Sequence, residues 1–326
     1  VSPGLNTANK AVDIACVPDI NWILTNASSY PKISANIFFN PNFEIPESVE
    51  IIEGDAFKEC KSLTSMKIPA SVKEISEGSF EDCISLQKIE LPNSITSIGD
   101  NAFKGCKALP SIDIPETVAK IGDQAFTNCA SLKNITLSNK LEYYGDYVFE
   151  GCSMLEYNEF ENANYIGSSN NPYMVFVSGK DKKAESYTIN SNTKFIGGAA
   201  FLEYSKLKSI IIPDSVTHIN AKAFCKCSNL SSVIIGKNVK VISYQAFINC
   251  DSLESVEIPD SVITIEKWAF WHCDNLKEVK IGKNVETIGE EAFRGCSLLT
   301  GTIIIPEKVE KIEPSTFWDC DNLTEV

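Results

Sequence analysis

Twelve cysteines are the residues in this 326-residue chain most able to do chemistry, since thiolates bind metals, form disulfides and attack electrophiles. Ten of them recur at one spacing: Cys60, Cys83, Cys106, Cys129, Cys152, Cys227, Cys250, Cys273, Cys296 and Cys320. Disulfides need converging Cβ vectors, which side chains stacked in parallel do not offer. A ladder of buried, unreactive thiols acting as small apolar groups is therefore expected, with no metal and no cofactor. Cys16 and Cys225 lie off the ladder and are the thiols left to react or pair. Cys225-x-Cys227 is too short and isolated for a zinc site. The two histidines, His218 and His272, have no serine or acid at a motif-like spacing, and His218 is expected on a solvated surface. Carboxylates are scattered singly, and neither a phosphate loop nor an EF-hand spacing occurs. No catalytic residue is assigned, and an enzyme is not expected.

The element that must position the thiols is a repeat. Residues 68–90 read IPASVKEISEGSFEDCISLQKIE and residues 258–280 read IPDSVITIEKWAFWHCDNLKEVK. Phe57, Phe80, Phe103, Phe126 and Phe149 lie 23 apart, as do Phe201, Phe224, Phe247, Phe270 and Phe293, with Phe317 following at 24. Alternation in Leu63-x-x-Met66-x-Ile68 and its counterparts gives a short strand with one inward face. Proline or glycine then ends the strand, and Ala-Phe-x-x-Cys fits one helical turn with Phe and Cys on one side. A single coil cannot bury its apolar stripe, but stacked coils can. The expected fold is a β-rich α/β solenoid, right-handed, with a parallel strand ladder on the concave side and short helical turns on the convex side.

This unit resembles the BspA-type (Treponema-type) leucine-rich repeat, carried by L-x-x-I-x-I-P, S-V-x-x-I-G and A-F-x-x-C. The resemblance covers residues 45–326, about twelve coils, with a variant coil at about 156–183. It implies a secreted or cell-surface protein, several relatives being thought of as adhesins, and it transfers no catalytic residue. Residues 1–44 do not fit the repeat and read as an atypical cap or a linker. In the variant coil a strand at Tyr173–Val177 and a turn at 178–181 replace the Phe turn, either as a protruding binding element or as a packing variant.

The net charge of −14 opposes nucleic acid and anionic membranes as partners, and no run of about eighteen apolar residues exists to enter a bilayer. A protein or other macromolecule is the expected partner, with weak self-association beside it. A structural spacer that projects other domains is the alternative.

Two surfaces are candidates for contact. On the strands, outward positions hold mostly serine and threonine, with Ile211 and Ile234 among them. On the turns, the position after each Phe is polar in the first half, which suggests that it faces solvent. In the second half it becomes Leu202, Cys225, Ile248, Trp271, Arg294 and Trp318, with Trp268 beside it. An apolar stripe at a solvent position would mark an interface, the alternative being that neighbouring side chains cover it as local packing. Tyr173 of the variant coil completes the candidates.

Overall fold

The computed structural model describes residues 45–326, so the expected cap or linker at 1–44, and Cys16 with it, lies outside the described residues. The chain divides into two compact units, one ending at Glu156 and one running from Tyr157 to Val326.

In the first unit, Ser65–Lys67 pairs with Lys88–Glu90 and Ser111–Asp113 pairs with Asn134–Thr136, both parallel. A second parallel ladder joins Glu74–Ile75, Ser97–Ile98, Lys120–Ile121 and Tyr143–Tyr144. Partners lie one repeat apart, such as Ile75 with Ile98. The strands are short because inward Met66 or Ile89 alternates with exposed neighbours for only three residues before Pro69 or another breaker ends the run.

The second unit repeats both ladders. Ser186–Tyr187, Ser209–Ile211, Ser232–Ile234, Ser255–Glu257 and Glu278–Lys280 form one sheet. The other has eight strands, from Asn158–Phe160 to Thr287–Ile288, and begins with antiparallel pairs made by Ala163–Ile166. The resulting β-solenoid has parallel strand ladders, as its repeat pattern requires.

The expected helical turns are absent: no described residue is helical. Two residues around each repeat Phe adopt left-handed backbone, for example Asp55 (φ 60°) and Glu59 (φ 58°) around Phe57, and Gly78 (φ 61°) and Asp82 (φ 56°) around Phe80. No right-handed helix survives two such residues four apart. Their effect is to aim alternate N–H groups at the next coil: Gly78, Phe80 and Asp82 donate to the carbonyls of Asp100, Ala102 and Lys104 at 2.7–2.8 Å. The turns thus form a third inter-coil ladder, closed within each coil by bonds such as Cys83 N–H to Phe80 O, 3.2 Å.

Inside, the phenylalanine rings stack. Phe57 through Phe149 lie 5.1–5.6 Å apart between centroids, their planes nearly parallel. In the second unit Phe201 through Phe293 keep 4.9–5.2 Å.

Candidate interaction surface

The thiols are placed first, because they decide whether the coils carry chemistry. All eleven described cysteines are free and buried. Each ladder thiol after the first in its run points back at the preceding coil, as when Cys83 Sγ donates to Phe57 O (3.0 Å) and Cys250 Sγ to Phe224 O (3.3 Å). The same phenylalanine carbonyl also accepts its own coil's cysteine N–H. The cysteine is therefore a hydrogen-bond donor between coils as well as an apolar filler, a role its spacing did not reveal. Burial pushes the Cys60 and Cys320 thiols up to about 11 and Cys106 and Cys227 up to about 12. Among the described residues no group of three or more His, Cys, Asp or Glu is placed to hold a metal ion.

His218 is not the solvated residue its polar counterparts suggested. It is half-buried on the second ladder, its ring 5.6 Å from that of the buried Phe195, and burial holds its pKa below the ordinary value. Phe195 replaces a polar residue one coil earlier and covers it. His272 pairs with Asp274, Nδ1 to Oδ1 3.1 Å.

The stripe after each Phe is largely covered. Cys225 and Ile248 are buried, Leu202, Trp271 and Arg294 half-buried, and Trp318 is 58% exposed. The polar version in the first unit is covered too: Lys58, Glu81 and Lys104 are half-buried and linked by ion pairs of 2.6 and 3.7 Å. Thr127 there is buried and donates to Tyr147 O at 2.6 Å. The position is therefore covered in most coils, Glu150 and Trp318 being exposed. Coils about 5 Å apart let large side chains in one column shield one another. Trp268 sits half-buried in left-handed backbone, against Tyr244 at 5.4 Å and beneath the Lys267 ammonium at 4.5 Å. Trp271 lies edge-on to His272 at 4.0 Å. Arg294 lies 5.2 Å from the Trp318 ring and bonds Glu291 at 2.7 Å, holding that carboxyl below its usual range. What remains open on this side is Trp318, with Arg294 beneath it.

Tyr173 is half-buried, packed on Phe160 at 5.6 Å and Tyr165 at 5.5 Å, inside an aromatic cluster. Tyr165 is fully buried and meets Phe176 edge-on at 5.2 Å. Phe176 stacks on Phe201 at 4.6 Å, occupying the place of the missing repeat Phe. Tyr204 stands where a ladder cysteine would, and its hydroxyl donates to Gly179 O at 2.7 Å. The strand here runs Val175–Gly179, two residues later than expected, so the expected turn at 178–181 is displaced to 182–183; it is pinned by Tyr187, whose hydroxyl donates to Asp181 O and accepts Asp181 N–H. The variant coil is packed by its aromatics, which favours the packing variant over a protruding element.

The strand face differs from the turns. Ile211 and Ile234 are neighbours in parallel register, 63% and 57% exposed. Beside them runs an exposed, in-register row of Ser186, Ser209, Ser232 and Ser255. One coil further the column turns charged, with the Glu257–Lys280 ion pair. Ile304, 79% exposed, holds the same repeat position beyond them. In the first unit this column reads Lys67, Glu90, Asp113 and Thr136. A groove of about 650 Å³ in that unit is lined by Glu50, Ile51, Ser71, Lys73, Glu74 and Ser76. No helix among the described residues is long and apolar enough to cross a membrane.

The repeat profile described as "BspA type Leucine rich repeat region" matches in six copies, over residues 31–156, 74–201 and 194–324. A leucine rich cell surface protein from Faecalibacterium prausnitzii is similar at 28% identity over 76% of this chain, with a TM-score of 0.44; the chain spans 61% of that protein. A leucine-rich repeat protein from Bacteroides ovatus is similar at 29% identity over 87% of this chain and 83% of its own, with a TM-score of 0.38. The pneumococcal vaccine antigen PcpA is similar at 21% identity, covering 76% and 73%, with a TM-score of 0.35. No curated protein matches the chain.

Proposed function

The chain belongs to the BspA-type leucine-rich repeat family, and on that premise we propose that it is a non-enzymatic interaction module. It works outside the cell or at a cell surface and holds a protein partner on the strand face of its second unit. One observation carries the reading: Ile211 and Ile234 stand side by side and exposed on a hydrogen-bonded ladder, among small hydroxyls. Packing does not require large apolar side chains there, because the same column accepts Glu257 and Lys280 in the same unit. An apolar pair on a rigid frame, rimmed by ion pairs, has the make-up of a contact centre. Repeat solenoids use broad faces of this kind for macromolecules. A second site, on the turn side, is favoured by the exposure of Trp318 over Arg294.

Retention of the purified chain on immobilised matrix proteins and on intact cells tests this. Ile211→Ser/Ile234→Ser is expected to lower retention at least tenfold with an unchanged melting temperature. Loss with Trp271→Ala/Trp318→Ala instead would move the contact to the turns. Retention of neither wild type nor variant on any surface would favour a spacer that projects other domains.

A further inference from the structure

The coils of the second unit are not equivalent; they alternate. Ile212-Pro-Asp-Ser-Val216 and Ile258-Pro-Asp-Ser-Val262 are each followed one repeat later by Ile-Gly-Lys-Asn-Val, at 235–239 and 281–285. Asp214 and Asp260 clamp the next coil. Their carboxylates accept the N–H of Lys237 (2.9 Å) and Lys283 (3.1 Å), and their carbonyls accept Asn238 Nδ2 (2.8 Å) and Asn284 Nδ2 (2.9 Å). Glycine lets the clamped coil lean back: a Cβ on Gly236 would lie 2.2 Å from Pro213 O, and one on Gly282 2.2 Å from Pro259 O. No side chain fits there.

The strand ladder records that lean. Within a proline–glycine pair three residues are in register, 209–211 with 232–234 and 255–257 with 278–280. Ile212 and Ile258 add bonds to Ile234 O (2.9 Å) and Lys280 O (2.8 Å). Between pairs the register shrinks to Ser232 with Ser255 alone. The Glu254 N–H to Ser231 O bond there stretches to 3.5 Å, against 2.9 Å for Ser231 to Lys208 and for Lys277 to Glu254. On the other sides the same joint is intact. Val241 and Ile242 pair with Thr264 and Ile265, Ile263 N–H donates to Lys240 O at 2.8 Å, and Phe247 N–H to Ala269 O at 2.8 Å. The Phe247 and Phe270 rings stack at 5.1 Å. The first unit has a joint of the same kind. Pro110 stands where other coils donate an N–H to the preceding strand, and 88–90 and 111–113 belong to separate two-stranded sheets.

We infer that the second unit is built of coil pairs and flexes at the seam between them. The strand face opens between Ile234 and Glu257, pivoting on the second ladder and the phenylalanine stack. The Ile211–Ile234 patch rides on one pair, whereas any partner that also reaches Glu257 and Lys280 has to set the seam. The seam therefore tunes the curvature of the face, whatever that face binds.

Amide exchange read at single residues on the whole chain, corrected for intrinsic rates, tests the seam. Glu254 is expected to exchange at least tenfold faster than Lys208, Ser231 and Lys277, its equivalents in neighbouring coils. Ile263 and Phe247, which cross the same joint elsewhere, are expected to be as slow as Glu286 and Phe270. Equal protection of Glu254 and Lys277 would overturn the inference. So would Ile263 and Phe247 exchanging as fast as Glu254, which would mean that the joint melts as a whole.

Discussion

A regular coil and the variant coil solve one packing problem with different parts. The coil around Phe126 takes its ring from the left-handed turn and its inter-coil donor from Cys152, which bonds Phe126 O at 3.1 Å. The variant coil has neither. It takes its ring from the strand residue Phe176, and Tyr204 supplies the donor across the gap to Gly179 O. What the array keeps is a ring in the stack and a donor behind it; which element delivers them is negotiable. The extra residues go into an antiparallel pairing of 158–160 with 163–165, which regular coils lack.

The largest expected effect separates the two by their acids. The buried thiols of Cys60, Cys106, Cys227 and Cys320 keep their protons up to about 11 or 12, whereas in the unfolded chain they titrate near 9.0. Above pH 9 the unfolded state therefore binds fewer protons, and stability falls with rising pH until the folded values are reached. The slope is about 1.4 kcal/mol per pH unit for each such thiol. The variant coil's Tyr165 and Tyr204, raised by burial to about 12 from 10.0, add to the slope only from pH 10 upward. Urea midpoints measured from pH 7 to 11 should be flat at first and then drop steeply. A flat profile to pH 11 would mean that the thiols are not buried as described.

Next come the rings. Phe126→Ala and Phe176→Ala should each cost about 3–5 kcal/mol in denaturant unfolding, since both rings are fully buried and stacked. A loss below about 1 kcal/mol for Phe176 alone would end the equivalence of the two coils. Smaller still is Tyr204→Phe, which leaves the Gly179 carbonyl without its donor and should cost about 1–3 kcal/mol. Smallest is Glu81→Gln, which weakens the Lys58 and Lys104 pairs. Because those lysines are about a third exposed, a change within about 1 kcal/mol is expected in the same assay.

Much of this was legible in the sequence. The 23-residue step of phenylalanine and cysteine fixes stacking, because only stacked coils bury both columns. The strands follow from alternation and from the prolines that end them. The helical turns were misread because Phe and Cys three apart satisfy helical spacing, while the left-handed mark, Gly, Asn or Asp two residues after the ring at Asp82, Gly105, Asn128, Gly151, Asn249, Gly295 and Asp319, was passed over. Of the two readings open for the stripe containing Ile248 and Trp271, contact surface or local packing, packing holds at both residues. Lys58 and Glu81 are polar yet half-buried, so polarity did not report exposure. Phe176 was overlooked as a stack member because it lies on a strand, outside the frame of the repeat. Only the exposure of Ile211, Ile234 and Trp318 followed directly from their positions.

The left-handed pairs around each Phe have one more consequence. Two residues before the ring the chain places Asp55, Gly78, Asn101, Gln124, Tyr147, Ala199, Lys222, Gln245, Trp268, Glu291 and Ser315 in the same backbone conformation. A non-glycine residue in that slot incurs a conformational cost of about 1–2 kcal/mol, smaller for Asp or Asn and larger for a β-branched side chain. The slot therefore accepts unbranched side chains of very different chemistry. Acids, bases, amides and aromatics interchange there without touching the ladder behind them. A lineage could rewrite this column residue by residue, changing what the turns present to the outside, while the scaffold that presents it stays as it is.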